Sequence, residues 1–325
     1  MNSKKALIIG SGVSGLSTGI RLGDAGYEPT IWTAEESRDT TSATAAAFWE
    51  PYLVAPEGKA AEWSAVSLKK FAKMAKIDDE IGVQKRPILS VYRTEPTIPA
   101  WASAVPDFRR VNHDQMQNIF EGTMPNDFQH GFAFETYMIE MTRYLPHLEE
   151  LFSQYGSILQ RKITDIREAL DRANIVINCT ALGSRDITGI TDLSVFPVAG
   201  QVAEIRRTIE ETIIIDPDEV TYIVPRSDNV ILGGTAIEHR YDRTPDKDIT
   251  LDIVRRCARF LPHVLSAPIQ QEKMGLRPAR PEVRLDSEKF PGGKTLIHNY
   301  GHGGGGVTLS WGCAEEVLSL LEKAK

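Results

Sequence analysis

The sequence predicts an α/β protein made of two discontinuous, interleaved domains, one of nucleotide-binding βαβ type and one rich in β-strands. Three observations carry that prediction. Gly10, Gly12 and Gly15 form G-x-G-x-x-G between a buried-strand run and a helical stripe. A second glycine run, Gly303 to Gly306, opens the last helical stretch. Between these ends, from Gly200 onward, the pattern shifts to closely spaced strands. The length agrees: 325 residues, at roughly 150 per domain, suggest two domains or one large one. Either is long enough to bury a core without disulfide or metal staples.

Taken in order, Ala6-Leu7-Ile8-Ile9 is the continuous apolar run of a parallel strand buried on both faces. Leu16, Ile20 and Leu22 then mark a helical stripe that stops at Gly26, a suitable residue just beyond a helix end. Pro29 to Thr33 is the second strand, which completes a βαβ unit. Residues 40 to 52 are rich in Thr, Ser and Ala before turning aromatic. A helix is expected over Glu62 to Lys76 and a strand over Pro87 to Tyr92. Several prolines make Pro96 to Gln129 irregular. Met138 to Tyr155 reads as a helix, and Asn174 to Cys179 as a buried strand ending at the turn Ala181 to Ser184. Strands follow at 201–205, 212–215, 221–225 and 229–233, then a helix from Ile249 to Phe260. A last strand, Leu296 to Tyr300, leads through the glycines to a helix from Val307 to about Leu321. There is no internal repeat. The expected division is 1–54, 144–195 and 273–325 for the nucleotide domain, and 55–143 and 196–272 for the second.

Composition narrows the function. Hydrophobic residues make up 42% and charged residues 25% of the chain, as in ordinary globular proteins. The net charge is −7 and no basic run exceeds a pair, so the electrostatic footprint of a nucleic-acid binder is missing. Cys179, Cys257 and Cys313 are too few and scattered for a disulfide framework or zinc site, and read as small buried hydrophobes. No metal is expected. No apolar stretch approaches the ~20 residues that span a bilayer. Met1 to Lys5 runs into the first strand without a signal-type segment, and Glu322-Lys323-Ala324-Lys325 matches no peroxisomal or ER address. The expected location is the cytoplasm.

In the G-x-G-x-x-G turn, Gly10 permits the tight bend and Gly12 lets a pyrophosphate approach the backbone. Gly15 lets helix and strand pack closely. The N–H groups of Val13 and Ser14, at the helix start, face the phosphates with the positive end of the helix dipole. A ribose-binding acid is expected about 20 residues on, and Glu35, just past the second strand, is the candidate. This turn alone does not separate NAD from FAD. The run His302-Gly303-Gly304-Gly305-Gly306-Val307-Thr308 favours FAD. Such a backbone can press against a planar ring system, and a helix start stabilises negative charge on a reduced flavin. A plain flexible loop before a helix is the simpler alternative.

At this point the chain resembles the FAD-dependent family that contains D-amino acid oxidase and D-aspartate oxidase, in particular its bacterial members. The resemblance is carried by Ile8 to Thr18, Thr40-Thr41-Ser42, Trp49-Glu50-Pro51-Tyr52, Val176 to Thr180, Pro197 to Val202 and Tyr222 to Pro225. Its most specific parts are Gly275-Leu276-Arg277-Pro278-Ala279-Arg280-Pro281 and His298-Asn299-Tyr300-Gly301-His302-Gly303-Gly304. It implies a Rossmann-like FAD-binding domain with a β-rich (α+β) substrate domain whose sheet is mainly antiparallel. It also implies oxidation of a D-amino acid by hydride transfer from the α-carbon to flavin N5, with hydrogen peroxide as the oxygen product. Arg277 matches the carboxylate-binding arginine, a job suited to the planar guanidinium fork. Tyr222 matches the tyrosine that adds a hydrogen bond to that carboxylate, and Gly304 the glycine whose carbonyl receives the substrate amine. Arg280 and Arg284 read as structural. Thr40, Thr41 and Ser42 match a loop on the pyrophosphate and ribityl side, Ile163 the adenine contact, and Gly303, Gly304 and Thr308 the flavin ring and its edge.

Phe48, Glu50 and Tyr52 fall on the substrate side in this resemblance. D-aspartate oxidases carry a histidine at Tyr52 and arginines in the lid and after the Gly-Gly-Thr turn, where this chain has Ala236. An acidic substrate side chain would therefore find little compensation for its desolvation. The Asp216 to Val220 connection is shorter and more acidic than in eukaryotic members, which implies a more open pocket. Glu50 stands where glutamine is common. If ionised towards the pocket it favours cationic side chains; paired or turned to solvent, it does not. The expected partners are a D-amino acid and oxygen, with a homodimer as the assembly to test. Two kinds of alternative stay open: a glycine-, sarcosine- or specialised-amine oxidase of the same fold, and proteins of other classes. The latter are an NAD(P)-dependent dehydrogenase and a flavin-binding protein without turnover.

Overall fold

The computed structural model of the chain describes residues 4–52, 54–119, 124–208 and 211–323. The lead-in from Met1 and the end of the Glu-Lys-Ala-Lys terminus lie in part outside them. In chain order the elements are β1 (Lys5–Ile9), α1 (Val13–Asp24), β2 (Glu28–Thr33), α2 (Thr41–Thr44), α3 (Glu57–Met74) and β3 (Val83–Tyr92). There follow β4 (Arg109–Asn112), α4 (His113–Ile119), β5 (His130–Ile139), α5 (Met141–Ser153), β6 (Ser157–Gln160), α6 (Arg167–Leu170) and β7 (Ile175–Asn178). Next are β8 (Phe196–Arg206), β9 (Ile213–Asp216), β10 (Thr221–Pro225), β11 (Asn229–Gly233), β12 (Ile237–Glu238) and α7 (Lys247–Cys257). The chain ends with β13 (Ile269–Ala279), β14 (Ser287–Phe290), β15 (Lys294–His298) and α8 (Gly306–Lys323).

Among the described residues these strands form two sheets. The six-stranded one runs β14-β15-β7-β1-β2-β6, all parallel except β14. Its centre, β1, is flanked on both sides, which is why Ala6 to Ile9 are all buried and apolar. α1 lies against it. Gly15 sits so close to the strand turn that a Cβ would fall 1.9 Å from the Gly10 oxygen. The helix ends as its sequence suggests: Gly26, at φ +79°, donates its N–H to Gly23 O at 2.8 Å. Leu16 and Ile20 of α1 share a core with Phe152 of α5 and Trp311 of α8.

The nine-stranded sheet runs β12-β8-β11-β10-β9-β3-β5-β4, with β13 along the other edge of β8. It is antiparallel except where β3 meets β9. α7 covers one face, packing Ile253, Val254 and Cys257 onto Ile205, Ile223 and Leu232.

Several expectations are corrected. Met138 and Ile139 close strand β5 rather than open a helix, and α5 starts at Met141. Both residues face the core, so they extend the helical stripe in sequence without sharing its backbone. α3 begins at Glu57, five residues before the expected start, with Pro56 as its cap. The supposedly irregular stretch holds β4 and α4. β13 was not anticipated because its first half is polar and exposed at the sheet edge. It also crosses the expected boundary at 273, since residues through Ala279 pair with β8 in the second sheet. α3, expected in the second domain, packs on α8: a Cβ on Gly312 would lie 2.2 Å from Trp63 O. The three cysteines are buried and unpaired. No described helix is long and apolar enough to cross a membrane.

Candidate active site

A cavity of about 960 Å³ runs from the glycine turn of β1–α1 to β8, β10 and β13 of the second sheet. At its first end, Gly10 adopts φ +109°, and a Cβ there would sit 2.6 Å from Cys179 O. Gly12 is different: its missing Cβ faces only Ser42 Oγ at 3.1 Å and Thr40 Oγ1 at 4.0 Å. That leaves a polar cradle beside the free N-terminus of α1. The Val13 N–H donates to Ser42 Oγ at 3.1 Å, while Ser11 Oγ and Thr33 Oγ1 share a hydrogen bond at 2.8 Å. Val13, Ser14, Thr40, Thr41, Ser42 and Ile163 all line the cavity. Glu35 lines it too, 3.9 Å from Arg243 Nη1. Gly15 does not; it packs helix on strand, as its spacing implied.

The second glycine run borders the cavity through Gly303, Gly304 and Gly306, followed by Val307 and Thr308. Gly305 departs from expectation. It turns away, and a Cβ on it would lie 2.6 Å from Val54 Cγ2. The run is held by a buried chain: His302 Nε2 meets Asn299 Oδ1 at 3.0 Å, and Asn299 Nδ2 donates to Thr18 Oγ1 at 3.1 Å. Burial lowers the His302 imidazole to about 4, so it is neutral near pH 7. Thr308 Oγ1 accepts from the Glu50 N–H at 3.4 Å and lies 3.2 Å from Glu50 O, which ties α8 to the Phe48–Glu50 segment.

Arg277, Tyr222 and Gly304 come together with Tyr52 at the other end. A Cβ on Gly304 would lie 3.7 Å from Arg277 Cδ and 3.8 Å from Tyr52 Cδ1. Arg277 stands on β13, two register positions from Gly200 of β8. A Cβ on Gly200 would meet the guanidinium at 2.3 to 2.5 Å. Tyr222 faces Gly233 across the β10–β11 pair, and its ring fills the space where a Gly233 Cβ would stand, 2.0 Å away. Arg256 steadies this corner by donating to Gly234 O at 2.9 Å and Thr221 Oγ1 at 2.8 Å. Arg277 donates to Thr235 O at 2.7 Å and pairs with no carboxylate among the described residues. Arg280 and Arg284 contrast with it. Arg280 binds Asp192 at 3.0 Å, and Arg284 donates to Tyr300 Oη at 2.9 Å. Burial pushes the Asp192 carboxyl up, but hydrogen bonds from Ser194, Tyr300 and Arg280 outweigh it and hold the group well below the usual carboxylate range.

Phe48 and Glu50 also line the cavity. Burial raises the Glu50 carboxyl to about 7, against a weak opposing hydrogen bond from Ser90 Oγ at 3.4 Å. Arg93 pairs with the end of β9 and the acidic turn after it, reaching Asp216 at 3.1 Å and Glu219 at 2.8 Å, while Asp216, Pro217 and Val220 line the cavity. Sequence reasoning missed Gly200 as the floor beneath Arg277. It also missed the wall formed by Ala45 to Ala47, whose signal was an alanine run before an aromatic segment.

A glycine turn at a helix start that shares one cavity with an arginine lacking a carboxylate partner is the arrangement of a nucleotide-dependent enzyme of α/β class. The family described as DAO, FAD dependent oxidoreductase, matches residues 5–320, and the chain belongs to it. It is similar to D-amino-acid oxidase of Rubrobacter xylanophilus, 38% identical over 98% of this chain and 96% of that one. D-amino-acid oxidase of Dictyostelium discoideum is 37% identical over 98% and 91%. Among solved structures, glycine oxidase from Bacillus cereus superposes with a TM-score of 0.81 at 18% identity, covering 99% of this chain and 95% of that one. The protein is an FAD-dependent oxidoreductase. The cradle fits that cofactor: Gly12 leaves space and N–H donors for a pyrophosphate, and the Gly303–Gly306 run leaves a side-chain-free wall for a flat ring.

Proposed function

We propose that the protein oxidises D-amino acids to 2-oxo acids with release of ammonia and hydrogen peroxide, favouring neutral or basic side chains over acidic ones. One observation carries the reading. Arg277 presents a guanidinium without a carboxylate partner to the cavity, beside Gly304, which also lines it and has no side chain to obstruct it. Held by the cradle at Gly12 and the wall at Gly303 and Gly304, FAD would supply two-electron acceptance from the substrate's α-carbon, with oxygen as the final acceptor.

The chain's own residues bind and orient. Arg277 grips the α-carboxylate through paired N–H donors, Tyr222 Oη adds a third, and the Gly304 carbonyl accepts from the amine, which binds neutral. With three points fixed, the α-hydrogen has one direction left, and rate comes from orientation rather than from a side-chain base. Water then hydrolyses the released imine. An acidic side chain is disfavoured because Ala236 and Tyr52 supply no cation. In this reading the division into FAD and substrate domains follows the two sheets, with β13 in the substrate domain. The protein works in the cytoplasm, and a homodimer is the assembly to test.

The direct experiment is anaerobic mixing of the holoenzyme with D-Ala, D-Lys, D-Asp, their L-forms, glycine and sarcosine while following flavin absorbance. Bleaching by D-forms is expected. Bleaching by glycine or sarcosine alone would overturn the substrate assignment. Arg277→Lys keeps the charge but loses the fork. It should lower kcat/KM for D-Ala by roughly 10- to 100-fold, the worth of one charge-assisted hydrogen bond, with FAD still bound. An undiminished kcat/KM would remove Arg277 from the carboxylate site.

A further inference from the structure

Glu50 is out of place electrostatically. The acids buried deepest in the described residues each face a cation: Glu140 lies 3.8 Å from Arg143, Glu204 2.6 Å from Lys273, and Asp216 3.1 Å from Arg93. Glu50 faces none. Its carboxylate takes one long hydrogen bond from Ser90 and otherwise borders the cavity. Glu50 is partly exposed, towards the cavity; a ligand that fills the cavity would strip water from a carboxylate without a partner, which is costly unless the ligand itself completes the pair.

The same cavity holds Arg277, and the Tyr52 phenol is within electrostatic reach of both the Arg277 and Glu50 charges. The cavity is therefore bipolar. If the α-carboxylate occupies Arg277 and the α-amine occupies Gly304 O, the only part of an amino acid left to meet Glu50 is its side chain. We propose that Glu50 is the specificity-determining residue of this cavity and selects D-amino acids whose side chain ends in a cation, an ammonium or guanidinium, over uncharged side chains of equal length. This rests on the D-amino acid reading given above.

The groups around Glu50 make its charge the one that changes near neutrality. Ser90 and Tyr92 stand on β3 and Tyr52 on Glu50's own segment, while Tyr222 on β10 and Arg277 on β13 face Tyr52. Burial raises the phenols of Tyr52 and Tyr92, and Asp216 already has Arg93. Burial also raises Glu50 to about 7, so its carboxyl is neutral below that pH and a carboxylate above it.

D-Lys and D-norleucine differ only in the terminal ammonium, so the ratio of their kcat/KM values isolates the Glu50 contact and cancels the α-amine. With the holoenzyme, that ratio should rise at least several-fold between pH 6 and pH 8.5. Glu50→Gln should lower the ratio at pH 8.5 by tenfold or more and flatten its pH dependence. If D-norleucine and the equally long D-2-aminoheptanoate are oxidised but the ratio of D-Lys to either is flat in the native protein, or unchanged within twofold in Glu50→Gln, the assignment of Glu50 is overturned while the D-amino acid reading stands. If neither D-Lys, D-norleucine nor D-Ala bleaches the flavin, the broader reading fails and this one with it.

Discussion

Gly200 decides where Arg277 points. The two residues are diagonal neighbours on adjacent strands, and the guanidinium occupies the space a Gly200 side chain would take. The obstructed atoms are the far end of a flexible side chain, not backbone, so a methyl group there would move Arg277 rather than the sheet. Gly200→Ala should keep the melting temperature within about 2 °C while lowering kcat/KM for D-Ala roughly 100-fold, as expected for a displacement near 1 Å. Thermal unfolding alongside steady-state kinetics tests this, and normal kinetics would mean that the guanidinium has room elsewhere. Nothing local in the sequence pointed to Gly200. Its role exists only through the register of β8 on β13, which joins segments far apart in the chain. Gly10, Gly12 and Gly15 could be read directly because their spacing lies within one turn, whereas Gly305 was misread because a run of four glycines does not reveal which of them faces inward.

At the level of elements, the βαβ unit shows why two glycines in one motif answer to different forces. A Cβ on Gly15 would collide with the Gly10 carbonyl at 1.9 Å, and backbone cannot step aside without parting α1 from β1. Gly15→Ala should cost about 1–3 kcal/mol of stability, read as a lower melting temperature even without cofactor. A Cβ on Gly12 would meet only the Ser42 hydroxyl at 3.1 Å. Gly12→Ala should leave the apoprotein's melting temperature nearly unchanged yet weaken FAD binding tenfold or more, measured by flavin fluorescence titration. Equal effects on both quantities in both variants would remove the distinction. β1, α1 and β2 were legible because their partners are local and their apolar periods unmixed. β5 and β13 were not. Met138 and Ile139 continue a helical stripe in the sequence while belonging to a strand, and the first half of β13 shows water a polar edge. Pairing partners settle such segments, and no window of the sequence contains them.

Across the whole molecule, the cavity depends on a seam between the two sheets, and one buried cation holds much of it. Arg226, 3% exposed in the turn after β10, donates from Nη2 to Ala45 O at 2.7 Å and Ala46 O at 3.0 Å. Those carbonyls belong to the wall that runs from the dinucleotide loop to Phe48. Burial lowers the guanidinium, and the charges of Glu204 and Glu140 oppose that. Arg226→Met would fill most of the volume but orphan both carbonyls and remove one of the cations near Glu204 and Glu140. About 2–4 kcal/mol of stability should go. Because FAD binds only the folded chain, the cofactor's stabilising effect, RT ln(1 + [FAD]/Kd), reports separately on the wall. If Arg226 serves only the fold, the melting temperature drops equally with and without FAD. If it shapes the cofactor site through Ala45 to Ala47, the increment that saturating FAD adds must shrink as well. The second outcome is expected, since the two bonded carbonyls belong to Ala45 and Ala46, which themselves line the cavity.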